Sequence, residues 1–196
     1  MGSVMSAFWL SFAVIFVAEL GDKSQLMAMT FATRYKFWTV ILAITAATAV
    51  VHLFSVALGN IVGLALPTGP INIIAGVAFI GFGLWTLRGD ELTEEEESRA
   101  ARTTRSAFFA VAIAFFLAEL GDKTMLATVT LATTEGWFGT WVGSTLGMVA
   151  ADALAIGVGA VLGRKLPENV IRIGAAILFF IFGAWLIFEG INTLVT

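Results

Sequence analysis

Apolar residues run along this chain in long blocks. Phe8 to Leu20, Val40 to Leu66, Ile71 to Leu87, Ala107 to Leu120, Val142 to Leu162 and Ile173 to Phe188 are almost free of charge. Several reach the roughly 20 residues that carry a helix across about 30 Å of hydrocarbon. The blocks predict an all-α membrane protein with six transmembrane helices, at 6–32, 38–66, 70–88, 106–132, 137–163 and 169–191. Pro67, Gly69 and Pro70 punctuate the second and third spans. The opening MGSVMSAFW has no basic stretch before its apolar run, and that run outlasts a signal h-region, so it is read as the first span and not as a cleaved signal.

The chain is one unit written twice. Shifted by 100 residues, AELGDKSQLMAMTFAT (Ala18 to Thr33) falls on AELGDKTMLATVTLAT (Ala118 to Thr133) with 10 identities in 16 positions. The register holds without a gap: Gly59 falls on Gly159, Gly63 on Gly163, Leu66-Pro67 on Leu166-Pro167, and Phe82-Gly83 on Phe182-Gly183. This divides the chain into a three-helix repeat over 1–89, a charged linker over 90–105 and a second three-helix repeat over 106–196.

An odd number of spans makes the second repeat enter the membrane from the opposite side, and the charges agree. Of 11 basic residues, nine lie in or beside the loops after spans one, three and five: Arg34, Lys36, Arg88, Arg99, Arg102, Arg105, Arg164, Lys165 and Arg172. The positive-inside rule makes that side cytoplasmic and places both termini outside. Inverted repeats of this kind recur in secondary transporters, where two similar halves exchange conformations. A hydrophobic content of 59% and a mean hydropathy of +0.94 lie far outside the balance of a soluble domain. The absence of cysteine excludes disulfides, thiolate metal sites and cysteine nucleophiles.

The two remaining lysines belong to charged motifs in mid-span. Glu19, Asp22 and Lys23 lie near the middle of span one, and Glu119, Asp122 and Lys123 near the middle of span four. Charge at that depth costs several kcal/mol per group unless it is paired or hydrated, and it usually marks an ion path. On a helix the three side chains share one face, and Gly21 lets the backbone approach closely or unwind. If spans one and four cross, Glu19, Asp22, Glu119 and Asp122 converge, and with two lysines they sum to −4 + 2 = −2, the charge one divalent cation neutralises. Ser24, Thr124 and Gln25 are candidates for further oxygens. Lys23 and Lys123 either pair with the carboxylates or reach toward an interface. An oxygen-rich site suits Mg²⁺, Ca²⁺ or Mn²⁺, and ligand type does not choose among them.

The doubled ELGDK[ST] resembles the ExGD[KR][ST] signature of the UPF0016 family, also called the Gdt1 family of cation transporters. The likeness covers essentially the whole chain, since the six-span duplicated layout is the family's as well. It implies Mn²⁺ export in bacteria and plastids, and Mn²⁺ or Ca²⁺ handling in exchange for protons in the Golgi. The short chain is similar to the bacterial form, which implies manganese and the inner membrane. By position, the resemblance assigns the motif acids to Glu19, Asp22, Glu119 and Asp122, the basic residue to Lys23 and Lys123, and the hydroxyl to Ser24 and Thr124.

His52 and Asp152 occupy matched positions in spans two and five and differ in chemistry, which makes them candidates for a cation or proton path. Met27, Met29 and Met125 read as packing side chains, the glycines of the spans as close helix contacts, the six tryptophans as interfacial anchors, and Glu94 to Glu97 as a solvated linker. The expected activity is export of Mn²⁺ from the cytoplasm by alternating access with H⁺ antiport. A Ca²⁺/H⁺ exchanger using the same residues, or an exporter of small organic cations, are the alternatives. No HExxH or GxSxG motif is present, and neither a prosthetic group nor a nucleic-acid partner is expected.

Overall fold

The computed structural model describes residues 3–65, 67–88, 106–162 and 168–195, all of it helix and short connections. Among the described residues, eight helices follow one another: α1 (Val4–Glu19), α2 (Lys23–Ala32), α3 (Phe37–Ala65), α4 (Thr68–Arg88), α5 (Ala107–Glu119), α6 (Lys123–Thr134), α7 (Trp137–Leu162) and α8 (Glu168–Val195). The predicted linker 90–105, with Glu94 to Glu97, and the stretch from Gly163 to Pro167 lie outside the described residues.

Four helices are long and apolar enough to cross a bilayer, namely α3, α4, and the segments Trp137–Ala160 of α7 and Ile173–Val195 of α8. Their limits agree with the expected spans to within a few residues. Spans one and four are each broken at the motif glycine, where the sequence leaves unwinding open at Gly21. α1 and α2 bend by 79° across a gap of three residues, the form of a broken span or a re-entrant loop; α5 is apolar but has only 13 residues, too few to cross alone.

The cause of the break is local. Gly21 and Gly121 adopt φ of 76° and 78°, the left-handed region that glycine enters without a Cβ penalty. Asp22 and Asp122 then cap new helices, their carboxylates accepting from the backbone N–H of Ser24 and Thr124.

Large apolar side chains face outward, among them Trp38, Ile61, Leu64, Ile181 and Phe188, while Glu19, Glu119, Asp152, His52 and Lys123 are buried. That distribution is the reverse of a soluble fold and fits hydrocarbon as the surrounding solvent. Two apolar cores form. One gathers Phe31, Ile44, Phe115 and Ile156; the other gathers Ile15, Phe79, Leu131, Met148 and Phe179.

Residues one hundred apart meet where α3 crosses α7 and α4 crosses α8. Thr48 Oγ1 donates to Met148 Sδ over 3.3 Å, and the rings of Phe79 and Phe179 stand 5.9 Å apart. Gly76 and Gly183 bring α4 and α8 together so closely that a Cβ on Gly76 would lie 2.5 Å from the Gly183 carbonyl oxygen. Of the tryptophans, Trp141 is more than an interfacial anchor: its Nε1 donates to the Ala49 carbonyl over 2.8 Å and ties α7 to α3.

Candidate cation site

The two breaks bring the charged motifs together from opposite halves of the sequence. Glu19 is the last residue of α1 and Glu119 the last of α5, so each projects from a helix end into the gap that Gly21 and Gly121 open. Asp22 and Asp122 stand at the N-termini of α2 and α6, where free N–H groups and the helix dipole favour negative charge. All four carboxylates are at most 4% exposed, which makes those favourable partners necessary.

The hydroxyls of the motif hold the glutamates. Thr124 Oγ1 donates to Glu119 Oε2 over 2.9 Å. Ser24 Oγ sits between Glu19 Oε1 and Asp22 Oδ2, 2.9 Å from the latter. A hydroxyl has one proton to give, so one of these two carboxylate oxygens takes its positive partner from elsewhere. Lys123 Nζ pairs across the repeats with Asp22 Oδ1, which decides between the two roles considered for this lysine. It is a buried counter-ion, 3% exposed. Lys23 is partly buried and is not free of partners.

Glu19, Asp22 and Glu119 each offer an oxygen within 4.8 Å of the others. That separation is about twice a Ca²⁺–oxygen or similar hard-cation bond of roughly 2.3–2.6 Å, so one ion fits between them. Glu19 Oε2 and Glu119 Oε1 are buried and have no hydrogen-bond partner. Buried carboxylate oxygens left bare are costly, and a cation between the repeats removes that cost. Asp122 lies outside this compact triangle, beside Glu119.

Gln25 has a different job from the one expected. Its Oε1 accepts from the Gly21 N–H over 2.9 Å and its Nε2 donates to the Ala151 carbonyl over 3.1 Å, so its amide clamps the broken backbone to α7. At the matched position, Met125 Sδ accepts from the Gly121 N–H over 3.2 Å and has no donor to offer. Asp152 follows Ala151, is fully buried with both oxygens unpartnered, and stands in the field of Asp22 and Glu19. His52 is also buried, with Nδ1 unpartnered, and makes no ion pair among the described residues. Asp152 thus stands in the field of the motif acids, and His52 is buried at the matched position of α3.

The chain matches the model of the divalent cation/proton antiporter family GDT1 twice, over residues 7–94 and 107–194. A Vibrio cholerae protein provisionally named a manganese exporter is 36% identical over 181 residues, covering 91% of this chain and 88% of that one. The chloroplastic GDT1-like protein 2 of Oryza sativa and Protein PAM71 of Arabidopsis thaliana are each 32% identical, over 90% and 94% of this chain. This chain spans only 59% and 57% of those two plant proteins. No solved structure matches it. With both halves matched in turn, the chain belongs to the GDT1 family of divalent cation/proton antiporters.

Proposed function

We propose that this protein carries Mn²⁺ out of the cytoplasm in exchange for protons, binding the cation between the two ELGDK[ST] breaks. Glu19, Asp22 and Glu119 are its ligands in the present state. Lys123 and the α2 and α6 N-termini hold the empty site against the mutual repulsion of the carboxylates. The observation that carries this reading is the triangle of three carboxylate oxygens within 4.8 Å, two of whose residues keep a bare, buried oxygen.

Alternating access draws support from an asymmetry in how the two ends of the bundle pack. At the end that carries both termini, helix backbones touch through glycine. A Cβ on Gly143 would lie 2.3 Å from the Phe8 carbonyl oxygen, and one on Gly59 would lie 2.3 Å from that of Val129. At the opposite, basic end, the residue matching Gly59 is Gly159, which among the described residues meets only the side chain of Met29. Beside it opens a crevice of about 170 Å³ lined by Met29, Ala32, Thr33, Ile156, Gly159 and Ala160. The six-span inverted repeat, with the basic end cytoplasmic, makes this a state sealed outside and loosened inside. Exchange of the two repeat conformations then carries the cation across. The bacterial inner membrane is the compartment this topology and the Vibrio cholerae relative favour.

The test is radiolabelled Mn²⁺ uptake into proteoliposomes holding the full chain, with and without an imposed pH gradient and with excess Ca²⁺. Uptake driven by the gradient and resistant to Ca²⁺ is expected. Robust Ca²⁺ flux without Mn²⁺ flux would replace manganese by calcium at the same residues. Silence with both, alongside flux of a small organic ammonium, would overturn the metal site.

A further inference from the structure

The site is built from two copies of one motif, yet its surroundings are unequal. Where α2 meets α7, the helix carries Asp152, fully buried, with neither oxygen hydrogen-bonded. Where α3 meets α6, the matched residue is His52, 1% exposed, with Nδ1 unpartnered. The residues that hold these helices differ in the same sense. Gln25 reaches the carbonyl beside Asp152, while Met125 ends on its own Gly121 N–H. A buried, charged carboxylate with two bare oxygens beside three others is unstable unless a cation or a proton shares it, and a cation in the adjacent triangle lies within its field. A neutral imidazole carries no such demand.

We propose that Asp152 is a further cation ligand in the state seen here, and that His52 takes its place when the site turns to the opposite face. This inference rests on the cation site proposed above. Repeat exchange moves α6 into the relation with α3 that α2 now has with α7, so His52 enters at the matched position. The cation then trades a carboxylate for an imidazole as it crosses. It is held by more negative charge facing the basic end than facing the end with the termini, which gives uptake on one side and release on the other. Mn²⁺, later than Ca²⁺ and Mg²⁺ in its acceptance of nitrogen ligands, survives this trade better than either.

The experiment uses the full chain in oriented proteoliposomes, with half-saturating Mn²⁺ measured from each face, and Mn²⁺ binding to detergent-solubilised protein followed by electron paramagnetic resonance. Asp152→Asn is expected to raise the half-saturating concentration at the basic face at least tenfold and to change the other face less than twofold. His52→Asp is expected to tighten the other face by a similar factor and to slow turnover. The double exchange, His52→Asp with Asp152→His, should reverse which face binds tighter. Asp152→Glu, which keeps the carboxylate, should preserve the wild-type order and guards against misfolding of the asparagine variant. Equal shifts at both faces, or none, would overturn the proposal. Glu19→Gln separates the two readings: binding that survives it defeats the cation site itself, whereas binding lost in Glu19→Gln but untouched in Asp152→Asn defeats only the role of Asp152.

Discussion

Lys123 lies in ion-pair contact with Asp22, a residue 101 positions earlier in the chain, and both are almost fully buried. The pair joins the two repeats at the proposed cation site. Removing one partner of a buried pair strands the other charge, at a cost of about 3–5 kcal/mol. Lys123→Met is therefore expected to lower the unfolding midpoint in detergent and to cut Mn²⁺ flux at least tenfold. Lys123→Arg keeps the charge and should retain most of both. A methionine variant with wild-type stability and flux would show that Asp22 is neutralised by another group.

A cation held by the folded protein and not by the unfolded chain raises stability by mass action, about 2.7 kcal/mol at a hundred times its Kd. Thermal unfolding of the wild type should shift upward with added Mn²⁺. Glu19→Gln and Glu119→Gln each remove one corner of the triangle of oxygens, and each should flatten that shift. They should also raise the stability of the metal-free protein, because less charge is buried. An unchanged Mn²⁺-dependent shift in both variants would place the cation elsewhere.

The four long spans were legible because each is a long, mostly apolar run bounded by glycine, proline or charge. The motif acids were legible because charge in such runs is rare, and its doubling fixed the two halves in register. Unwinding at Gly21 was legible, but its extent, a 79° bend, was not. ELGDK continues an apolar block on both sides, and only the left-handed glycine with an aspartate cap after it makes the helix stop and restart. In hindsight Gly-Asp followed by a hydroxyl residue is a capping signal in its own right. The link from Gln25 to Ala151 had no signal, since it joins residues 126 apart through a main-chain carbonyl that every residue possesses.

The two glycines at the breaks give a test of that geometry without touching the carboxylates. Gly121 has φ +78° and nothing within 4 Å of where a Cβ would stand. Gly121→Ala thus meets no clash and pays only for the left-handed backbone, about 1–2 kcal/mol. Unfolding by denaturant should show a loss of this size. A loss above about 4 kcal/mol would mean that packing, and not the dihedral, reserves the position for glycine.

The seam at the end with the termini predicts how glycine controls access. A Cβ on Gly59 would lie 2.3 Å from the Val129 carbonyl oxygen and 2.7 Å from the Ala132 Cβ, distances no relaxed structure holds, so α3 and α6 must part for Gly59→Ala to fold. Overpacking of this kind costs about 1–3 kcal/mol, and here the cost falls only on the state in which the seam is shut. The balance should therefore move toward opening at that end by roughly five- to 150-fold for that range. The chain has no cysteine, so a single Thr133→Cys, beside Gly63 on the same seam, reports the opening without background. Labelling by a membrane-impermeant maleimide should be faster in Gly59→Ala than in the parent, and Mn²⁺ flux should fall because one half of the cycle is disfavoured. Gly81→Ala, with nothing within 4 Å of its Cβ position, should change neither rate. Equal labelling in the two alanine variants would mean that the contact between α3 and α6 is fixed packing and does not move during transport.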